Sequence, residues 1–167
     1  MAVNFTENLE KGMEYLHKRG AFLTTKVDDK VNTMTISWGS IGFEWNKPIF
    51  TVFVRKSRYT HQFVEKSGKF TVSIPVDDSM KEDLAFCGKK SGRDVNKFEE
   101  CNLKIEEGKE INVPVVGECG LVYECRVVYK QDMDLNLIDE EIRKVKYSDE
   151  DIHTVYYGEI VACYLNK

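Results

Sequence analysis

Residues 48–54, PIFTVFV, form a short run in which both faces of an extended chain would be apolar. A strand of this kind must be covered on both sides, so the run predicts a central strand of a sheet. Other segments alternate apolar and polar residues with period two, as strands do. These further predicted strands cover residues 21–27, 31–38, 69–75, 118–130 and 153–165. The sequence therefore predicts a mainly β fold.

Two details of these strands add to the prediction. The first two are joined through VDDK, whose Asp-Asp pair suits a tight turn, so they should form a hairpin. In residues 118–130, Glu124, Arg126 and Lys130 share one face and apolar residues share the other. This alternation predicts a strand with one solvent-facing side.

Helices are expected at the periphery of the sheet. Residues 6–19 carry apolar side chains at helical spacing, with Thr6 as a candidate N-cap and Gly20 after the end. A second helix should begin near Ser57 and end at Gly68. The remaining predicted helices cover residues 78–87, which end at Gly88, residues 94–100, and the charged surface segment LIDEEIRKVKYSDEDI.

Length and charge limit the class of protein. The chain of 167 residues suits a single domain over residues 1–167 with one core. Apolar residues make up 42% and charged residues 31%, with a net charge of -4, which argues against disorder and nucleic-acid binding. No apolar run approaches the ~20 residues that span a membrane. The N-terminus lacks the pattern of a signal peptide, so we expect a cytoplasmic protein without a membrane partner.

The five cysteines are odd in number and widely spaced, without a close pair or a nearby histidine cluster. We therefore expect no metal site and reduced cysteines in the core. Cys87 is an exception to consider, because it lies beside basic residues in LAFCGKKSGRD. Nearby cations could lower the pKa of its thiol and make it functional.

The strand at residues 31–38 has an unusual row of hydroxyl groups. Thr33, Thr35 and Ser37 share one face, and Met34 and Trp38 lie on the other. The hydroxyls are either β-favouring residues on a solvated face or hydrogen-bonding partners for a polar, planar ligand. Both interpretations remain open from the residues alone.

A basic, hydroxyl-rich segment follows about twenty residues later, where a helix begins. It contains Arg55, Lys56, Ser57, Arg58 and Thr60. The N-terminus of a helix offers unpaired N–H groups and partial positive charge, so this segment is a candidate phosphate seat. The alternative is a charged surface turn in which Ser57 only caps the helix.

A second basic loop, GKKSGRD at residues 88–94, has a superficial likeness to a phosphate-binding Walker loop. Lys89 and Lys90 precede the second glycine, however, and a helix rather than a strand comes before the loop. We therefore do not interpret it as a Walker loop.

Five sequence runs together carry a family resemblance. The runs NTMTISWGSIGFEWNKPIF, VRKSRYT, FTVSIP, LAFCGKKSGRDVNKF and HTVYYGE, in this order, resemble the flavin reductase-like FMN-binding proteins, and most closely their flavoredoxin-type branch. The resemblance extends from about Gly20 to about Ile160. It implies a split β-barrel that binds FMN at or near a homodimer interface. It also implies electron transfer from NADH, NADPH or a protein donor.

The resemblance also implies roles for individual residues. The strand at residues 31–38 and its following turn would lie against the flavin, and His153 would lie beside the flavin as the candidate catalytic residue. For His153 the alternative is a structural role, which is common for a lone histidine. The candidate FMN-binding residues are Thr33, Met34, Thr35, Ser37, Trp38, Arg55, Lys56, Ser57, Thr60, Lys90 and Ser91.

The expected function is that of an FMN-dependent NAD(P)H oxidoreductase. Two alternatives are an electron carrier that exchanges electrons with a redox protein partner and a non-catalytic flavin-binding module. The sequence has no G-x-G-x-x-G dinucleotide motif, so we expect any NAD(P)H to bind on an open flavin face. The shared motifs do not separate flavin held as a prosthetic group from flavin used as a substrate.

Overall fold

A computed structural model describes residues 3–166, in which nine strands and five helices follow one another along the chain. The strands are β1 (Ala21–Val27), β2 (Lys30–Ile36), β3 (Gly39–Glu44), β4 (Lys47–Arg55), β5 (Lys69–Ile74), β6 (Ile105–Glu106), β7 (Val115–Val116), β8 (Leu121–Asp132) and β9 (His153–Leu165). The helices are α1 (Leu9–Lys18), α2 (Tyr59–Ser67), α3 (Lys81–Lys89), α4 (Lys97–Glu100) and α5 (Glu140–Lys146). Seven strands form one antiparallel sheet in the order β2-β1-β5-β8-β9-β4-β3, and β6 pairs with β7.

The predicted mainly β fold is confirmed. The strand predicted at residues 48–54 corresponds to β4, which lies inside the sheet between β3 and β9. Ile49, Phe50, Val52 and Val54 on this strand are fully buried, as a strand covered on both sides requires. The predicted hairpin is also confirmed, because β1 and β2 pair antiparallel on either side of the Asp-Asp turn.

Two apolar clusters cover the two faces of β1. Leu23 belongs to the larger cluster, which includes Phe50 and Tyr123 from other strands of the sheet. Phe22 points the opposite way into a smaller cluster with Leu84 and other residues around α3. Helix α3 therefore covers the outer side of β1 and β2, and this decides what the hydroxyl row on β2 contacts.

Several predicted element boundaries differ from the structure. Helix α1 begins at Leu9 after Asn8, so Thr6 is not the cap residue. Helix α3 continues through Gly88 to Lys89 instead of ending at Gly88. Strand β3 was not predicted, because GSIGFE contains two glycines and lacks a clear alternation. The turn after it, Trp45–Asn46, has two positive φ angles, which is typical of a tight hairpin.

The prediction of a solvent-facing side on β8 is wrong at Glu124, which is fully buried. Its carboxylate accepts backbone N–H groups of Lys109, Glu110 and Ile111 at 2.6–3.0 Å, and the Tyr164 hydroxyl at 2.8 Å. These charge-assisted hydrogen bonds offset the cost of removing the carboxylate from water. Glu124 therefore holds the loop before β7 against the sheet.

The cysteines are free thiols, and Cys87 is fully buried. Burial raises the pKa of the Cys87 thiol to about 12, which is opposite to the lowering that its basic neighbours suggested. The structure thus favours the interpretation of Cys87 as a core residue. Within residues 3–166, no helix is long and apolar enough to cross a membrane, and no three His, Cys, Asp or Glu side chains cluster as metal ligands.

Candidate functional site

Two cavities meet where the end of β2 approaches α2 and the start of β9. The first has a volume of about 200 Å³ and the second about 180 Å³. Met34 and Arg58 line both cavities, so the two spaces adjoin. The first cavity is lined by Met34, Thr35, Ile36, Ser37, Trp38, Phe53, Arg55, Arg58 and His153. The second is lined by Asn32, Met34, Ser57, Arg58, Tyr59, Thr60, Lys89, Lys90, Ser91, Gly92, Arg93 and Lys97.

His153 lies in the first cavity and is 7% exposed. Its Nδ1 shares a hydrogen bond of 2.7 Å with the Tyr147 hydroxyl, and its ring centroid lies 5.3 Å from that of Trp38. Burial, with a smaller contribution from the Arg55 charge, lowers the pKa of His153 to about 4. The imidazole is therefore neutral near pH 7. With Nδ1 occupied, Nε2 is the ring nitrogen available to a ligand.

Arg55 borders the first cavity rather than the second. Its guanidinium donates to the backbone carbonyls of Asp151 at 2.5 Å and Lys146 at 2.8 Å, and it lies 5.1 Å from the Tyr147 ring centroid. These contacts hold the segment between α5 and β9 beside His153. Two of the donors of Arg55 are thus used within the chain, and its predicted phosphate role stays a prediction.

The other residues predicted at the start of α2 also have partners within the chain. Lys56 forms an ion pair with Asp132 and lines neither cavity. The Ser57 hydroxyl donates to Asp151 Oδ2 at 2.5 Å, and the buried Thr60 hydroxyl accepts from the Asn32 amide at 2.8 Å. Ser57 and Thr60 do line the second cavity. Lys56 is therefore the residue of this basic segment that does not border the site.

Two members of the predicted hydroxyl row, Thr33 and Thr35, lie on β2 and have partners within the chain, whereas Ser37 lies after the strand and is exposed. Thr33 is fully buried, and its hydroxyl lies 3.0 Å from that of Thr24. The Thr35 hydroxyl donates to the Leu84 carbonyl in α3 at 2.6 Å. The solvated-face interpretation does not hold for Thr33, and the predicted contact of Thr33 and Thr35 with a flavin stays a prediction. Thr35 still contributes to the wall of the first cavity, whereas Thr33 lines neither.

The other three candidates from this strand and its turn border the cavities. Met34 is buried and contacts both spaces. Ser37 is exposed and lines the first cavity, and Trp38 is 42% exposed at the same place. Trp38 is thus an aromatic wall of the first cavity and not a buried core residue.

The second basic loop folds back onto the start of α2. Lys90 and Ser91 both line the second cavity. Arg93 donates to the Ser57 carbonyl at 3.2 Å and lies 5.0 Å from the Tyr59 ring centroid. Two basic segments that are more than thirty residues apart therefore meet at one cavity.

Arg58 belonged to the predicted phosphate seat but not to the candidate FMN-binding residues, and Lys97 belonged to neither. Arg58 donates to the Gly88 carbonyl at 3.0 Å and borders both cavities. Lys97 is 4% exposed, and its Nζ donates to the carbonyls of Thr33 and Cys87 at 2.8 and 2.9 Å. Arg58 stands within the basic run that pointed to the site. Nothing local in the sequence indicates that Lys97 is buried.

The site therefore has two ends of different chemistry. The first cavity combines two aromatic side chains and a neutral imidazole with the guanidinium groups of Arg55 and Arg58, and the second is lined by cations and hydroxyls. This arrangement suits a flat polar ring system that carries an anionic group. Together the cavities reach the lower part of the ~300–1,000 Å³ usual for small-molecule sites.

The comparisons with known proteins agree with this geometry. The sequence model of the family described as Flavin reductase like domain matches residues 13–167. An uncharacterized protein of Archaeoglobus fulgidus is 31% identical over 149 residues, which cover 89% of this chain and 73% of that protein.

Two solved structures are similar over most of the chain. Flavoredoxin from Methanosarcina acetivorans has 28% identity and a TM-score of 0.70, with 89% of this chain and 68% of that one covered. An FMN-binding domain of a flavin reductase-like enzyme from Shewanella baltica has 21% identity and a TM-score of 0.67, with coverages of 95% and 74%. The matched folds include a split-barrel domain, so the predicted split β-barrel is confirmed. This chain belongs to the flavin reductase-like domain family.

Proposed function

We propose that this chain is an FMN-binding oxidoreductase that takes electrons from NADH or NADPH and passes them through the flavin to an acceptor. Membership of the flavin reductase-like family supports a flavin-binding redox function. The observation that carries the proposal is the pair of adjoining cavities: the first has the aromatic side chains and the neutral histidine, and the second is lined by five cations and by hydroxyls, with Arg58 shared between them. A flavin mononucleotide has a ring for the first and a phosphate for the second.

The charges of the side chains around the second cavity fit the phosphate group of FMN. Among residues 3–166, Arg58, Lys90 and Lys97 line the second cavity and no Asp or Glu does. Cations without a facing carboxylate favour an anion such as a phosphate monoester. We assign the phosphate to these residues and Ser91, and the ring to the cavity of Trp38.

When bound, FMN supplies the hydride and electron chemistry, which protein side chains alone do not provide. The protein's own contribution in the first cavity is a neutral His153 whose Nε2 is available for a hydrogen bond at the ligand edge. Trp38 shields one side of the cavity but is itself 42% exposed. The exposed rim supports access of a nicotinamide to the ring.

An electron carrier with a redox protein partner is the second candidate. The 28% identity to a flavoredoxin favours this candidate. It would use the same flavin site as the NAD(P)H oxidoreductase.

A homodimer is also part of the proposal. Phe43 and Trp45 near β3 are each about 60% exposed, and apolar surface of this kind supports association with a second copy. Cytoplasmic location remains a prediction.

The test begins with the absorption spectrum of the purified protein, with FMN added to any apoprotein. Anaerobic addition of NADH or, in a separate sample, NADPH should reduce the flavin. Reduction is measured as loss of the visible flavin absorbance, at a rate fast enough for catalytic turnover. Bleaching only by a reduced protein donor would support the carrier instead. A protein that binds FMN but is reduced by neither would be a binding module. Failure to bind any flavin would refute the proposal.

A further inference from the structure

The hydroxyl of Tyr147 has two hydrogen-bonding partners but a single proton. It lies 2.7 Å from His153 Nδ1, and it donates to Met133 Sδ at 3.3 Å. Tyr147 is 3% exposed, and burial raises the pKa of its hydroxyl, so the group keeps its proton near pH 7. Because a hydroxyl donates one proton and accepts at its lone pairs, these two contacts together fix the direction of each hydrogen bond.

The direction of the bond to His153 follows from the bond to Met133. With its proton directed at the sulfur, the Tyr147 oxygen is an acceptor for Nδ1. A neutral imidazole has one N–H and one lone pair, so His153 then carries its proton on Nδ1 and leaves Nε2 unprotonated. Met133 is held beside His153 independently of its sulfur, since its backbone N–H donates to the His153 carbonyl at 3.1 Å.

The surroundings of Nε2 favour the same tautomer. Nε2 makes no hydrogen bond within residues 3–166, where the buried side-chain polar atom without a partner is the Tyr123 hydroxyl, so Nε2 reaches the open space of the first cavity. Burial and then the charge of Arg55 lower the pKa of His153, and Arg58 acts in the same sense. Positive charge beside a nitrogen favours a lone pair over an N–H group. The Asp151 carboxylate, which acts in the opposite sense, is already engaged by hydrogen bonds.

We propose that Tyr147 is a positioning residue that fixes the His153 proton on Nδ1, so that Nε2 presents a lone pair to the first cavity and accepts a hydrogen bond from an N–H group of the ligand. The tautomer rests on the contacts of Tyr147 and on the cations beside Nε2. The identity of the ligand as a flavin rests on the proposed function. The isoalloxazine ring of a flavin carries a group of the required kind, its N3–H.

The first experiment determines which ring nitrogen of His153 carries the proton. Long-range ¹H–¹⁵N correlation spectra of purified protein with ¹⁵N-labelled histidine distinguish a protonated from an unprotonated ring nitrogen. The His153 signals are identified by their loss in His153→Gln. At pH 7, where this imidazole is neutral, we expect the proton on Nδ1. A proton on Nε2 would overturn the proposal.

Met133→Leu tests the direction of the two hydrogen bonds, because leucine keeps most of the volume and offers no acceptor. The Tyr147 proton then has its remaining partner at Nδ1. The ratio of the two His153 tautomers should therefore move toward Nε2–H by about tenfold, the scale of one hydrogen bond. Met13→Leu on α1, outside the first cavity, is the matched control and should leave the ratio unchanged. An unchanged ratio in Met133→Leu would contradict the proposed arrangement.

Tyr147→Phe removes the hydroxyl and keeps the aromatic ring beside His153. Both tautomers should then be observed in the spectrum. Tyr129→Phe is the control, because that hydroxyl donates to Gln131 at an exposed position, and it should retain the wild-type tautomer. A pure Nδ1–H tautomer in Tyr147→Phe would show that another group fixes the proton, and the role of Tyr147 would be refuted. If Tyr147→Phe does not fold, the wild-type protein and Met133→Leu decide the question.

FMN is the probe for the ligand-facing side of the imidazole. Binding is followed by flavin fluorescence, and the bound flavin should shift the Nε2 resonance of His153 while the proton stays on Nδ1. FMN binding that leaves Nε2 unchanged, or that moves the proton to Nε2, would refute the hydrogen bond to the ligand and leave the proposed function standing. The Nδ1–H tautomer in a protein that binds no flavin would support the role of Tyr147 and refute the proposed function.

Discussion

The Tyr147 hydroxyl and His153 Nδ1 are joined by a hydrogen bond of 2.7 Å at the wall of the first cavity. Tyr147 comes directly after α5, and His153 is the first residue of β9. The hydrogen bond therefore joins the two ends of the short segment between α5 and β9. Arg55 also holds this segment, because its guanidinium donates to the backbone carbonyls of Lys146 and Asp151. The imidazole orientation is therefore determined by the neighbouring Tyr147 and, through Arg55, by β4, which is distant in sequence.

We predict that His153→Ala still binds FMN but is reduced by NAD(P)H at least about tenfold more slowly, the lower range for losing a positioned acid-base group. The reason is that the variant loses the Nε2 group in the ring cavity but none of the cations in the second. Stopped-flow absorbance under anaerobic conditions measures the step. His17→Ala is the matched control, because His17 is an exposed residue of α1. An unchanged rate would assign His153 a structural role.

The lowered pKa of His153 predicts a dependence of stability on pH. The folded protein keeps this imidazole neutral down to about pH 4, whereas the unfolded chain protonates it near pH 6.5. The unfolded state then binds more protons between these values, so stability is lost as pH falls through that window. At pH 5 the loss from this group is about 2 kcal/mol. Urea unfolding of His153→Gln at pH 7 and pH 5 should show a decline smaller than that of wild type by this amount.

Arg55→Ala should lower the free energy of unfolding by about 1–3 kcal/mol, because two backbone carbonyls lose their donor. Its preference for FMN over riboflavin should stay within about threefold of wild type, since Arg55 does not line the second cavity. Urea unfolding and flavin titration give the two quantities. A tenfold loss of preference for FMN would return the phosphate to Arg55. Lys56→Ala, which removes an exposed ion pair, should have little effect on stability.

Glu124→Gln is expected to cost about 2–4 kcal/mol of unfolding free energy. The buried carboxylate accepts three backbone N–H groups, and an amide can match them only in part. Glu118→Gln at an exposed position is the control and should change stability by less than about 0.5 kcal/mol. Urea denaturation at pH 7 compares them. Equal stabilities would mean that the carboxylate charge contributes nothing to holding the loop.

The proposed homodimer predicts about twice the chain mass in light scattering of dilute protein. If the exposed aromatic surface near β3 forms the contact, Trp45→Arg should shift the protein toward the monomer without lowering its melting temperature by more than a few degrees. Phe5 stacks on Phe43 within the chain, so Phe43 is a less suitable site for this test. A wild-type monomer that retains FMN would contradict a shared site.

The strands and most helices could be predicted because their signals are local. Alternation in residues 69–75 and the apolar run in β4 depend only on neighbouring residues and on burial of one or two faces. Strand β3 could not be predicted in this way, because it forms through pairing with β4 and its own residues show no clear alternation. Boundaries such as the end of α3 depend on contacts around Gly88 that sequence spacing does not reveal.

The sequence alone determined that the chain is mainly β, that hydroxyl and basic residues occur in β2, at the start of α2 and in the loop after α3, and that a phosphate-bearing ligand is plausible. Only the tertiary structure decided which side chains face the cavities. A period of two separates the faces of a strand but does not say which face a helix will cover, so the pattern alone does not show that the Thr33 hydroxyl meets Thr24 or that the Thr35 hydroxyl meets α3. Burial of Lys97 and the engagement of Arg55 by distant carbonyls are likewise long-range, because both depend on segments that meet only when the chain folds.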